Sequence, residues 1–138
     1  MKTAVACVAL LAVVSTARAD PLRPDHPMIG AWRVSIDGCT ETYRVDRSGA
    51  MRVTSAQQVS TSRVEISDQP SDKGFYKWVD TVVDDNGKKD CGGHVTPVGD
   101  VAVDYILMSP KHDRFLMCSE EATQTCLGPF VRVEGEGV

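Results

Sequence analysis

The stretch Trp32-Arg33-Val34-Ser35-Ile36-Asp37 alternates apolar and polar side chains with a period of two. Successive side chains of a β-strand point to opposite faces, so this pattern makes one dry face and one wet face. A helix would instead need apolar residues spaced near 3.6. The pattern recurs along the chain. Tyr43 and Val45 alternate with Arg44 and Asp46, Met51 and Val53 with Arg52 and Thr54, and Val64 and Ile66 with Arg63, Glu65 and Ser67. Each run has the half-wet character of an antiparallel sheet.

Turn chemistry falls between the runs. Asp46-Arg47-Ser48-Gly49 is a turn, and Ser109-Pro110-Lys111-His112-Asp113 joins strands 101–108 and 114–118 as a hairpin. Asn86-Gly87 is a strong two-residue hairpin signal at the end of 75–83, because both residues accept positive φ. Residues 126–133 supply the last strand. Segment 75–83 differs from the others in being apolar on both faces, so it is either covered twice or offers one apolar face to a partner. Eight or nine strands follow, with no convincing amphipathic helix after residue 19. The fold class is therefore all-β, a single antiparallel up-and-down β-barrel of about eight strands, since closure removes exposed strand edges. An immunoglobulin-like sandwich is the rival, but no Trp sits midway between two widely spaced cysteines.

The ends of the chain read differently. Lys2, the apolar run 4–14 and Ala17-Arg18-Ala19 have the layout of a secretory signal peptide over residues 1–19. The run is too short for a membrane-spanning helix, which needs about 20 residues. Residues 20–28, with Pro21, Pro24 and Pro27, form an extended Pro-rich arm; 29–134 are the barrel domain, and 135–138 a flexible tail. Cleavage after Ala19 removes Lys2, Arg18 and Cys7. It leaves 119 residues with 13 basic and 19 acidic side chains, a net charge of −6.

Four cysteines remain, Cys39, Cys91, Cys118 and Cys126, and an even number in a small exported domain reads as two disulfides. Cys118 and Cys126 flank a polar loop and are the natural local pair, which leaves Cys39 for Cys91. Zinc would need closer Cys or His pairs. The destination is the periplasm or the medium. A pI near 5.3 excludes the basic stripe of a nucleic-acid binder.

Gly30-Ala31-Trp32 on the first strand, Asp104-Tyr105 on a later one and Arg132 on the last resemble the motifs of lipocalins and related calycin barrels. Val103 stands where that family has Thr. The resemblance implies a structural pair of Trp32 and Arg132 closing the base of the barrel, with the guanidinium stacked on the indole. It also implies a non-catalytic binder of a small apolar molecule, its mouth lined by Tyr43, Met51, Val53, Val64, Ile66 and Tyr105.

A second function class is a protein-interaction module, such as an inhibitor of a basic enzyme. The −6 charge and the aromatics Tyr76 and Trp78 on the two-faced strand suggest it. The Ser-Gly-x-x-Tyr loop of some bacterial lysozyme inhibitors is missing, because Ala50 and Met51 follow Ser48-Gly49. No catalytic constellation stands out. His26, His94 and His112 read as solvated loop residues, and an enzyme working through His94 is the remaining option. Asp84, Asp85, Asn86 and Asp90 lack calcium-loop spacing. No cofactor and no metal are expected.

Overall fold

The computed structural model describes residues 20–135. The expected signal segment 1–19 and the last three residues of the expected tail lie outside them. Eight strands form the barrel: β1 (Gly30–Ile36), β2 (Cys39–Val45), β3 (Ala50–Ser55), β4 (Gln58–Ile66), β5 (Phe75–Asp85), β6 (Val101–Met108), β7 (Arg114–Cys118) and β8 (Cys126–Arg132). One short 3-10 turn, Thr123–Thr125, precedes β8. Each strand pairs antiparallel with its sequence neighbours, and β8 returns to β1, so the sheet is a closed up-and-down barrel.

The register shows which side chains enter the barrel. Trp32 lies opposite Tyr43, Tyr43 opposite Val53, and Val64 opposite Asp80. Directly opposed residues share a face, so one inner set runs around the ring. Its lower layers are apolar and closely packed. Trp32, Val45, Met51, Val64, Trp78, Ile106, Phe115 and Phe130 are buried there. Phe115 stacks on Phe130 with ring centroids 4.5 Å apart, and Trp32 meets the Phe115 ring edge-on at 4.9 Å. This end is closed.

The arm does not simply extend. Two turns fold it under the barrel, with the His26 N–H bonding to the Arg23 carbonyl (3.0 Å) and the Ile29 N–H to that of His26 (3.1 Å). Leu22 and Met28 join the core, and His26 is only 2% exposed. The solvated reading of His26 is thus corrected: the prolines break strand pairing, but the apolar residues between them still bury themselves.

The two-residue hairpin at Asn86-Gly87 is also corrected. Gly87 has the expected positive φ of 72°, but β6 begins only at Val101. Residues 86–100 instead form a long loop over the end of the barrel where β3 turns into β4. The Cys39–Cys91 disulfide draws the loop to the start of β2, and Gly99 and Asp100 rejoin the backbone of Val82. Cys118–Cys126 links β7 to β8, so both disulfides pair as the loop lengths suggest.

The seam between β1 and β8 is short. Only Trp32 with Arg132 and Arg33 with Val131 are paired, and the Val133 N–H adds a bond to the Ala31 carbonyl (2.9 Å). Continuing that register puts Pro129 opposite Ser35, and proline has no N–H to give. The strands part there, leaving a cleft of about 530 Å³ between Arg33 and Ser35 on one side and Gly128–Val131 on the other.

Candidate functional site

The inner face changes character above the aromatic layer. Val34, Val53 and Val82 continue the apolar wall, but Glu41, Tyr43, Ser55, Ser60, Ser62, Asp80 and Asp104 occupy inner positions among them. Strand alternation places them: Glu41 is two residues from Tyr43, Asp80 lies between Trp78 and Val82 on the inner row, and Asp104 is opposite Trp78.

These groups form a hydrogen-bonded set. The Tyr43 hydroxyl donates to Glu41 Oε2 (2.6 Å), and the Ser55 hydroxyl donates to Glu41 Oε1 (2.7 Å). The Cys91 N–H, from the loop across the open end, donates to Ser55 Oγ (2.9 Å). Across the barrel the Ser62 hydroxyl bonds to Asp80, whose Oδ1 is buried with no hydrogen-bond partner. Burial holds the Asp80 carboxyl above its usual range; the Ser62 bond opposes this, and the charge of Asp104 adds to it. Burial raises Asp104 as well. The Tyr43 phenol is driven far above its ordinary value, first by burial, then by the charge of Glu41 and its bond to it, then by Asp80 and Asp104. All three carboxyls thus act on the Tyr43 phenol from inner positions of the barrel wall.

The residues expected at a ligand mouth are dispersed. Met51 and Val64 are fully buried in the closed half, and Val53 and Ile66 nearly so. Tyr43 belongs to the polar inner groups, and Val53 and Val64 lie opposite Tyr43 and Asp80 in the register. Tyr105 is opposite Lys77 and on the outer face, which corrects its expected inward direction. The partner-binding assignment of Tyr76 and Trp78 is corrected too. Both point inward and are buried, because their row of β5 is the inner one. The apolar face of that segment turned to solvent is the other row. There Val79 pairs with Val103 and Thr81 with Val101, and the two β6 valines are 47% and 60% exposed.

At the base, the Arg132 guanidinium carbon sits 4.1 Å from the centre of the Trp32 ring. It also donates to the carbonyls of Pro27 (2.7 Å), Ile29 (2.9 Å) and His112 (3.0 Å). Gly30 leaves room for it: a Cβ there would lie 2.5 Å from Arg132 Nη1, and its φ of +138° suits glycine alone. His94 and His112 are exposed at loop positions. Among the described residues, no group of three or more His, Cys, Asp and Glu side chains is placed to hold a metal ion, and no helix is long and apolar enough to cross a membrane.

No family model, curated protein or solved structure matches this chain. The closed eight-stranded barrel is compatible with a lipocalin-like fold, and the reading of function rests on its own residues.

The inner carboxyls were missed in the sequence for a definite reason. Asp80 and Glu41 look like the polar half of an alternating strand until the register shows which half faces in. Asp104 was noticed only as part of a short motif. The one available signal was Asp80 on the row of Tyr76, Trp78 and Val82, where an acid interrupts apolar side chains.

Proposed function

We propose that the chain is a small exported protein that holds a small organic cation in the open half of its barrel, without catalysing a reaction on it. The observation that supports this is the inward set of Glu41, Asp80 and Asp104 around Tyr43. Burying carboxylates costs stability, and titratable groups perturbed by burial inside a concavity are candidates for a binding role. A positively charged ligand would offset that cost by pairing with Asp80 and Asp104. Val34, Val53 and Val82 in the same layers suit an apolar body attached to the charge. A wholly apolar ligand fits less well, since the apolar inner residues are already packed against one another. Export is supported by the signal-like residues 1–19 and by two disulfides, which persist in oxidising compartments.

A second reading, a protein-docking module, is favoured by the exposed outer valines of β5 and β6. Calorimetry on the oxidised protein separates the two, using a straight-chain alkylammonium below its micelle concentration and the carboxylate of equal chain length. The proposal expects one alkylammonium bound per chain and loss of binding in the folded D80N/D104N variant. Preference for the carboxylate, or no binding of either, overturns it. A stoichiometric protein partner lost in V101T/V103T would then favour docking.

A further inference from the structure

His26 lies at the end of the barrel opposite the carboxyl set. Its Nδ1 accepts a hydrogen bond from the Met28 N–H (3.2 Å), so the ring proton is on Nε2, which donates to the Ser67 carbonyl (3.1 Å) just after β4. The Met28 bond requires a neutral ring, whereas the Nε2–H donor to the Ser67 carbonyl is kept when the ring is charged. A protonated imidazole carries N–H groups at both positions, and at Nδ1 it would meet the Met28 N–H donor to donor. His26 therefore holds the Met28 N–H, and with it the turn beneath Trp32, only while it is uncharged.

Charged groups of the arm and of the stretch after β4 face the ring. Arg23 and Asp25 lie on the arm and pair with each other (3.2 Å), and Asp68 follows β4. Tyr76 of β5 meets the imidazole ring edge-on, with centroids 5.4 Å apart. Burial, aided by Arg23, outweighs the pull of the Ser67 carbonyl, Asp68 and Asp25 and holds the ring below its ordinary 6.5.

The arm is also the floor of the barrel. Met28, fully buried, gives its carbonyl to the Trp32 indole N–H (2.9 Å), and Pro27 and Ile29 give theirs to Arg132. We propose that the turn 26–29 is an acid-loosened plug: proton uptake at His26 Nδ1 expels the Met28 N–H and loosens the floor beneath Trp32, while the His26–Ser67 bond keeps the arm on the barrel wall. Loosening frees Met28 from beneath Trp32 and opens the underside of the aromatic layer. Leu22, whose N–H bonds to the Arg47 carbonyl (2.9 Å), contains no group that titrates in this range and is the tether at the other end of the arm.

Amide exchange of the folded, oxidised protein tests this between pH 7.5 and 5, with rates corrected for intrinsic exchange. One proton taken up on opening raises the opening constant of the arm about tenfold per pH unit, from about 6.5 down to the folded value. The Met28 and Ile29 amides lose protection on that slope while the Tyr43 amide in β2 keeps its own. In H26N the side-chain oxygen still accepts from the Met28 N–H but cannot titrate, so protection of the arm stays level. An equal loss in H26N overturns the proposal. Where H26N does not fold, ring ¹⁵N titration of the wild-type protein decides. The Nε2–H tautomer at neutral pH with a pKa below 6.5 supports the plug; the Nδ1–H tautomer or a pKa above 6.5 overturns it.

Discussion

Arg132→Met tests the account of the closed end most directly. Methionine keeps an apolar chain over the Trp32 ring but removes the charge and every donor. Three hydrogen bonds are lost, to Pro27, Ile29 and His112, spanning the arm, the start of β1 and the β6–β7 turn. At about 1 kcal/mol net for each bond, plus about 0.5–1 kcal/mol for a part-exposed cation–π contact, the loss is about 3.5–4 kcal/mol. Against a typical stability of about 5–15 kcal/mol, that is a large fraction. The assay is urea unfolding followed by tryptophan fluorescence, with the midpoint and slope fitted separately. Arg132→Lys keeps a cation near the indole but not the planar fork that reaches several carbonyls, so it retains only a minor part of the difference. A loss below about 1 kcal/mol in R132M, or R132K equal to wild type, would refute the view that this residue ties the three elements together.

Three other outcomes follow from the same physics. Asp80→Asn raises stability at pH 7 by about 1–2 kcal/mol, because a buried carboxylate with an unpartnered oxygen is replaced by a neutral group. A carboxyl whose folded pKa is raised destabilises the fold above that value. The penalty fades as pH falls toward the unfolded value near 3.8, so the stability advantage of D80N shrinks over the same interval in thermal melts. Met28→Ala costs about 2–5 kcal/mol in urea unfolding, as expected for truncating a fully buried side chain. Removing Cys39–Cys91 by paired Ser substitutions costs about 4 kcal/mol and removing Cys118–Cys126 about 2.5 kcal/mol, since the loops span 52 and 8 residues. The reverse order in paired denaturation curves contradicts an entropic origin.

What the sequence made legible was local. Alternation at Trp32–Ile36 and at Val64–Ile66 defined strands, and the turn residues at 46–49 and 109–113 defined hairpins, because each depends on neighbours only. The disulfide pairing followed from loop length. Facing was harder. Tyr76 and Trp78 read as candidates for partner binding because segment 75–83 is apolar on both rows, and only pairing with β4 and β6 distinguishes inner from outer. Tyr105 was misplaced for the same reason. His26 reads as solvated from sequence, since a proline-rich stretch carries no periodic pattern from which its burial could be inferred.

The parting of β1 and β8 at Pro129 bears on how the chain assembles. Strands β1 to β8 follow one another as a meander, so seven of the eight pairings join sequence neighbours. The eighth brings Trp32 to Arg132, a hundred residues away, and it carries the full loop-closure entropy of the ring. With so few ladder bonds at this seam, ring closure depends on side chains, above all the stacked Trp32–Arg132 pair. An unclosed meander would expose β1 and β8 as bare edges, ready to pair with another copy. Proline at position 129 blunts one of them. The residue that weakens the finished ring thus also keeps its unfinished form from templating aggregates.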